Sequence, residues 1–317
     1  MSVQINSESK VLFANKKQPI DDLIDDINEK YRGVLSVYGL LKQNEPIIAS
    51  VGNFQLPAEL KTTYEKRKAR LEDISNYDNG MNHNEPNLVL DRSFQFSPFL
   101  ELECLTADYA ACQTMRIDGN KEFQLITGNA LVWCKEEGKV VFQTRGTENI
   151  DWFPGACSLW GGGFLPLNFN DKPRDRSIFD NINREFREET GGITDLQKLK
   201  LAPILITKEH TAGANGQRTG SIQFNSLGAE ISKKSVGELR PTWEGGVDYC
   251  DIKQLAKHFE ENEWTPFAVA CVLVWLNLTD NGMFERIYSI YKEKSLGDLL
   301  GLSGKALDLF IKANRLI

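Results

Sequence analysis

Short apolar runs along this chain alternate with stretches in which apolar residues recur at helical spacing. After Pro19, apolar side chains return every three or four positions, which predicts a helix beginning at Ile20. The runs Val34–Leu41 and Ile47–Val51 are rich in β-forming residues and predict two strands. The charged stretch Pro57–Ile74 predicts a helix exposed to solvent. The N-terminal part of the chain is therefore predicted to contain both helices and strands.

A turn signal at residues 118–120 (Asp-Gly-Asn) precedes a more regular pattern. The helix 178–190 is predicted to end at a glycine pair, Gly191-Gly192. Further helices are predicted at 252–261, 264–278 and close to the C-terminus. The predicted strands are 129–134, 139–145, 202–207, 221–227 and 247–250. Strands with helices between them predict an α/β sandwich with a mixed sheet, and we place a domain boundary near residue 118.

Composition narrows the class of protein. The chain has 317 residues, of which 41% are hydrophobic, and a formal net charge of −7. These values are typical of globular proteins, and the negative charge argues against broad binding to nucleic acid or to an anionic membrane. No apolar run reaches the roughly 18 residues of a membrane span. The six cysteines are scattered and the N-terminus has no apolar signal-peptide core, so we expect a cytoplasmic protein with free thiols.

Three carboxylates on the helix 178–190 carry the strongest chemical signal. Glu185, Glu188 and Glu189 stand at positions i, i+3 and i+4, so they project from one face of the helix. Like charges this close repel one another, and a hard divalent cation that prefers oxygen ligands would relieve the repulsion. Glutamates at this spacing are more often a solvated helix face. A glycine triplet upstream, Gly161–Gly163, favours the metal hypothesis over that alternative.

The run REFREETGG at residues 184–192 resembles the C-terminal half of the Nudix box, G-x5-E-x7-R-E-U-x-E-E-x-G-U, where U is apolar. The run SLWGGGF at residues 158–164 is similar to the glycine loop that opens the box. This resemblance covers about residues 119–278. It implies the Nudix α/β/α sandwich and a metal-dependent hydrolase that cleaves the diphosphate linkage of a nucleoside diphosphate derivative.

The resemblance also assigns roles to individual residues. Glu185, Glu188 and Glu189 match the glutamates that bind Mg²⁺ or Mn²⁺, and Arg184 matches the arginine that orients them. Gly163 matches the first glycine of the box, and the carbonyl oxygen of Gly162 would be a further metal ligand.

This chain departs from the family's pattern in its loop. Arg184 follows Gly163 by 21 positions, where the pattern has 14. The first glutamate of the box is missing or displaced, because its two in-frame positions are Phe169 and Arg176. Asp171 or Asp175 could replace it. Gly192 also takes the final apolar position, with Ile193 one place late.

Residues outside the box complete the candidate site. Glu244 lies in a loop where the family often supplies another acid, and Glu230 and Glu238 are rivals for that role. Arg145, at the end of a predicted strand, and Arg174, in the long loop, could meet substrate phosphates. Plain surface positions are the alternative for both arginines.

The sequence therefore predicts three segments: residues 1–118 of unknown role, a Nudix hydrolase domain at 119–280, and a helical C-terminal extension at 281–317. The N-terminal segment is expected to fold separately, so that a chain starting near Gly119 would still bind Mn²⁺. The expected partner is a small nucleotide substrate: a nucleotide sugar, a dinucleotide or a nucleoside triphosphate. The sequence leaves open whether the protein forms a homodimer. The alternative function is a Nudix-like module that senses a nucleotide without strong catalysis.

Overall fold

In the part of the chain that this computed structural model describes, twelve strands form a mixed central sheet with helices on both faces. The structure describes residues 18–41, 46–77, 84–92, 94–97, 100–119, 122–146, 153, 155–166, 175–192, 196–212, 218–231, 236–242 and 245–301. The α/β class with a mixed sheet, predicted from the sequence, is confirmed.

The strands, numbered along the chain, are β1 Leu35–Leu41, β2 Ile47–Asn53, β3 Pro86–Leu90, β4 Glu101–Asp108, β5 Gln124–Cys134, β6 Lys139–Arg145, β7 Cys157–Ser158, β8 Trp160–Gly163, β9 Leu196–Gln197, β10 Ile204–Ala212, β11 Arg218–Ile231 and β12 Gly245–Asp251. Their main path is β1-β10-β11-β5-β3-β4-β2. Strand β8 pairs with β5, β9 with β11, and β6 with β5, β7 and β12. The central β5–β11 pair is parallel, and β10–β11 is antiparallel.

The helices are α1 Ile20–Lys30, α2 Lys61–Tyr77, α3 Tyr109–Asp118, α4 Ile178–Glu189, α5 Leu255–Glu261, α6 Pro266–Thr279, α7 Asn281–Glu293 and α8 Leu296–Leu299. Among the described residues, none of these helices has the length and apolar character of a membrane span.

Alternate side chains of the central strands face different helices, because successive residues of a strand point to opposite faces. Ile126, Phe224 and Ile206 pack with the apolar stripe of α4 in one core cluster. Leu131 and Leu205, on the opposite face, pack with α1, α6 and α7 in another. Helix α6 is buried along nearly its whole length, so it serves as the main apolar support of that second face.

Strands from both sides of the predicted boundary at residue 118 join in this sheet. Strand β1 pairs antiparallel with β10, and β3 pairs antiparallel with β5. The boundary itself falls in the short connection between α3 and β5. Strands β1 and β3 thus share hydrogen bonds with strands that follow residue 118. Whether residues 1–118 also fold alone stays a prediction.

The beginning of the C-terminal extension is helical and packs into the core. Phe284, Ile287 and Tyr291 of α7 belong to the same cluster as α6. The short helix α8 is capped at its N-terminus by Ser295, which forms a capping box with Asp298. Residues 302–317 of the predicted extension lie outside the described residues.

Candidate active site

Helix α4 presents its acidic face because of its apolar stripe and its two ends. Ser177 caps the N-terminus by accepting a hydrogen bond from the amide of Asp180. The stripe is fully buried and consists of Ile178, Ile182 and Phe186. Gly191 and Gly192 follow the helix with φ of 76° and 75°, a left-handed conformation that favours glycine. The stripe therefore fixes which side of α4 faces the sheet, and the glutamates lie along its border.

Arg184 connects the glycine loop to two of the three glutamates. Its NH1 donates to Glu188 Oε2 at 2.8 Å, and its NH2 lies 2.7 Å from Glu185 Oε1. The same NH2 donates to the carbonyl oxygen of Gly163 at 2.8 Å. Burial alone would lower the pKa of this guanidinium, but the charges of Glu185, Asp175 and Glu188 raise it overall. Arg184 is therefore a permanent cation that holds both acids in place.

Asp175 provides the buried counter-charge for Arg184. Its carboxylate accepts from Arg184 Nε and NH2, both at 3.0 Å, and its side chain is only 2% exposed. It also accepts from the amide of Leu165 at 2.9 Å and from Asn181 Nδ2 at 3.2 Å. These contacts join the end of the glycine loop to the start of α4. Of the two acids suggested as replacements for the missing glutamate, Asp175 has this position, and Asp171 lies outside the described residues.

Glu189 is the most buried of the three glutamates, with 4% exposure. Its Oε1 accepts from Gln143 Nε2 at 2.6 Å, and its Oε2 accepts from the amide of Gly161 at 3.0 Å. Gln143 was not identified from the sequence, because a glutamine in a strand carries no motif. Its contact fixes the last carboxylate of α4 against strand β6 and the glycine loop.

The glycine loop lies directly under the carboxylate of Glu185. A Cβ atom on Gly162 would lie 2.5 Å from Glu185 Oε2, so a larger residue there would displace this side chain. The Glu185 side chain is 13% exposed and that of Glu188 is 59% exposed. Carboxylates next to a backbone turn are the oxygen ligands that Mg²⁺ and Mn²⁺ prefer, so these residues fit such a cation.

Arg145 lies at the end of β6, beside the same loop. Burial lowers the pKa of its guanidinium, and the charges of Glu209 and Glu189 act in the opposite direction. Its backbone amide donates to the carbonyl oxygen of Ala156 at 3.0 Å, which anchors the strand end to the loop before β7. Arg145 is thus electrostatically linked to the acids of α4.

The remaining predicted residues are not gathered at this place. Glu244 and Arg174 lie outside the described residues. Glu230, one rival for the additional acid, forms an ion pair with Lys198 at 2.7 Å on β11. Glu238, the other rival, is exposed in a short turn.

A second group of potential metal ligands lies on the other side of β6. Cys157 Sγ and His258 Nε2 approach Asp248 Oδ2 at 3.8 and 2.8 Å, and all three ligand atoms lie within 4.8 Å of one another. His258 stacks on Phe142, which points away from the face that carries Gln143. The hydrogen bonds to Asp248 account for this arrangement, and the group is separate from the glutamates of α4.

Comparison with known proteins gives matches among solved structures alone. No family model matches the chain, and no curated protein matches it. Tm1382, a putative Nudix hydrolase, is 15% identical with a TM-score of 0.38, covering 61% of this chain and all of its own. The MutT protein from Methanosarcina mazei Go1 is 17% identical with a TM-score of 0.30, covering 54% of this chain and 96% of its own.

The Nudix domain of Shewanella oneidensis NrtR, solved in complex with ADP ribose, is 15% identical with a TM-score of 0.28. This match covers 52% of this chain and 87% of that domain. The mixed sheet with helices fits a Nudix-like fold. The REFREETGG motif resembles the Nudix box, and the solved structures named above include a putative Nudix hydrolase and a Nudix domain.

Proposed function

We propose that this protein is a metal-dependent hydrolase that cleaves the diphosphate linkage of a nucleoside diphosphate derivative. The observation that carries the proposal is the arrangement around Arg184, which holds Glu185 and Glu188 beside the carbonyl oxygen of Gly163. An exposed helix face with solvated glutamates would not need a half-buried arginine paired with a buried aspartate. The arrangement therefore supports a site rather than a solvated surface.

The residues that would hold Mg²⁺ or Mn²⁺ are Glu185, Glu188, Glu189 and the carbonyl oxygen of Gly162. When bound, such a cation lowers the pKa of a water molecule and neutralises charge on the phosphate oxygens. Arg184 keeps two of the acids oriented through its ion pairs. Gln143 and the amide of Gly161 hold Glu189 at the inner end of the site.

Positively charged side chains of this protein are proposed to bind the phosphates of the substrate. Arg145 lies beside the glycine loop, and Arg174 belongs to the long loop between Gly163 and α4; both are proposed to contact substrate oxygens. Glu244 is proposed as an additional acid, with Glu238 and Glu230 as its rivals. A net charge of −7 is compatible with an anionic substrate, because a bound cation bridges the acids and the phosphates.

A nucleotide-sensing module without strong catalysis is the second candidate, and one observation favours it. Both carboxylate oxygens of Glu189 already accept hydrogen bonds, from Gln143 and Gly161. A metal ligand at this position has to share or exchange one of these contacts. Together with the lengthened loop, this would suit a domain that binds nucleotide but turns it over slowly.

Several further expectations accompany the proposal. Residues 1–118 are proposed to contribute to assembly or to substrate choice rather than to the chemical step, and 281–317 to form a helical extension. A cytoplasmic location and a homodimer are proposals of the same kind.

The test is metal-dependent release of phosphate or nucleoside monophosphate from a panel of nucleotide sugars, dinucleotides and triphosphates, with ADP ribose among them. Glu188→Gln should lose most activity while remaining folded, because this side chain is 59% exposed and its ion pair lies at the surface. Glu136→Gln, in the exposed turn after β5, is the matched control. Binding of nucleotides without turnover by the wild type would favour the sensing module instead.

A further inference from the structure

Buried polar side chains form a row on the sheet face opposite α4. Thr207 of β10, Gln223 of β11 and Asn225 of β11 are at most 4% exposed. Thr207 Oγ1 donates to Gln223 Oε1 at 2.7 Å, and Asn225 Nδ2 donates to Thr207 Oγ1 at 2.9 Å. Asn225 also accepts from Asn129 Nδ2 at 3.0 Å. These side chains hold one another in fixed orientations.

Two buried oxygen atoms at the margins of this row have no hydrogen-bond partner among the described residues. They are Thr127 Oγ1 on β5 and Glu209 Oε1 on β10. Thr127 is 8% exposed and lies directly opposite Gln223 in the parallel β5–β11 ladder. The other oxygen of Glu209, Oε2, accepts from Gln223 at 3.4 Å. A buried polar atom without a partner costs free energy, so both oxygens point to a ligand or a water that satisfies them.

The charge around Glu209 is balanced from two distant parts of the chain. Burial raises the pKa of its carboxyl, and the positive charges of Arg145 and Arg116 oppose that effect. Arg116 belongs to α3, in the segment before residue 118, and Arg145 to β6. An anionic ligand could therefore approach Glu209 without facing an uncompensated negative charge.

The row begins one strand away from the glycine loop. Thr127 lies opposite Gly163 in the β5–β8 ladder. Since β8 has glycine at 161, 162 and 163, that stretch contributes no side chain here, and the side chain of Asn87 lies over Gly163. From Thr127 to Glu209 the row crosses two strand spacings, which is about 10 Å and comparable to the length of a nucleoside.

We propose that this row, with Thr127 and Glu209 at its margins, binds the nucleoside part of the substrate. Glu209 Oε1 accepts a hydrogen bond from an N–H or O–H donor of that nucleoside, and Thr127 Oγ1 contributes a second contact. The diphosphate then lies at the glycine loop, next to Arg145 and the glutamates of α4. The inference rests on the proposed function for the position of the diphosphate, but nucleoside binding can be measured without turnover.

Isothermal titration of the full-length protein in Mg²⁺ buffer tests it, with ADP and inorganic pyrophosphate as the probes and the nucleotide checked for hydrolysis afterwards. Glu209→Gln should weaken ADP binding about tenfold to a hundredfold, the range for a hydrogen bond to a charged group. Pyrophosphate binding should be unchanged. Glu103→Gln, an exposed carboxylate on β4, is the matched control and should bind both probes like the wild type.

Thr127→Val provides an independent variant of nearly the same volume, in case Glu209→Gln does not fold. It should weaken ADP binding about two- to tenfold, again without affecting pyrophosphate. Titration with dADP and IDP identifies the donor. The analogue that binds equally well to wild type and Glu209→Gln lacks the group that Glu209 recognises, either the ribose 2′-hydroxyl or the adenine amino group.

Unchanged ADP binding in both variants would overturn the inference, as would an equal loss for ADP and pyrophosphate. These outcomes are distinct from failure of the proposed function. Hydrolysis that is unchanged in the Glu209 and Thr127 variants would support the proposed hydrolase and contradict nucleoside binding by the row. ADP binding that depends on Glu209, without any hydrolysis across the substrate panel, would support nucleoside binding by the row and contradict the proposed hydrolase.

Discussion

Two groups of polar side chains, one on each face of the central sheet, differ in how their polar atoms are satisfied. On the α4 face, Asp175, Arg184 and Glu189 each have two or more hydrogen-bond partners within the chain, at 2.6–3.2 Å. On the opposite face, Thr127 and Glu209 retain buried oxygen atoms without a partner among the described residues. A satisfied network fixes the position of its side chains, whereas unsatisfied groups are available to a ligand.

This difference suggests that the two groups of side chains have different roles on either side of the glycine loop. The α4 face is already organised before anything binds, which suits residues that must hold a cation and phosphates in one geometry. The row on the opposite face is held in place by hydrogen bonds in its middle but has one unsatisfied atom at each margin, which suits recognition of a variable group. The following experiments separate the two roles.

The largest effect is expected from a chain that begins at Gly119. It would lose β1 and β3, which pair with β10 and β5, and it would lose α3 from the second face. We expect this chain not to fold cooperatively, because Leu205 and the rest of that core would be left without β1 and α1. Circular dichroism and Mn²⁺ titration check this. A well-folded truncation with unchanged Mn²⁺ affinity would instead support the boundary predicted from the sequence.

Glu189→Gln should lower metal-dependent turnover by about a thousandfold or more, since losing a metal ligand removes several kcal/mol of transition-state stabilisation. The buried contacts with Gln143 and Gly161 make a modest loss of stability plausible too, so thermal unfolding has to be measured in parallel. Near-wild-type turnover by this variant, on a substrate that the wild type hydrolyses, would contradict the assignment of Glu189 as a metal ligand.

Asp175→Asn should cost about 2 kcal/mol of unfolding free energy, because it replaces the most buried of the three carboxylates that pair with Arg184 and weakens its charge-assisted hydrogen bonds. It should also lower kcat, since Arg184 orients Glu185 and Glu188. Urea denaturation and steady-state kinetics measure the two effects. Asp180→Asn is the control, because its ion pair with the 78% exposed Arg176 lies at the surface. Equal behaviour of the two variants would contradict a special role for Asp175.

Neutralising Lys172, Arg174 and Arg176 together should raise KM severalfold or change substrate preference, with Mn²⁺ affinity unchanged. The reason is that the long loop leads from the glycine loop to α4, where phosphates would approach. Initial-rate kinetics over the substrate panel provide the measurement. If KM and preference both stay at wild-type values, the loop has no part in substrate binding.

The smallest effect concerns pH. The hydrogen bond with His258 lowers the pKa of Asp248, so this contact stabilises the fold above the ordinary Asp pKa of about 4. That contribution is lost as the pH falls through the lowered value. Wild type should therefore lose slightly more stability than Asp248→Asn between pH 5 and pH 3, by about 1 kcal/mol or less. Thermal unfolding at pH 5 and at pH 3 measures the loss of stability, and an equal loss in the two proteins would contradict this prediction.

Local sequence patterns were sufficient to predict several helices and strands. Strand β6 has the bounds Lys139–Arg145 that its alternating residues predicted, and α1 begins at Ile20 directly after Pro19. The apolar stripe of α4 likewise gave the helix and its acidic face. Strands β3 and β4 and helix α3 were missed. The five residues of β3 are all buried, and so short an apolar run is not distinctive, while its first residues looked like part of a polar loop.

The sequence by itself determined the α/β class, the acidic face of α4 and the resemblance to Nudix hydrolases, because these depend on residues close together in the chain. Only the tertiary structure showed Asp175 beneath Arg184, Gln143 against Glu189, and Arg116 near Glu209. It also joined β1 to β10 across the predicted boundary. The contacts of Gln143 and Arg116 and the pairing of β1 join segments that are far apart in the chain, and a pairing register leaves no periodic signal in either strand alone. Asp175 lies outside any periodic element, so no pattern places its side chain.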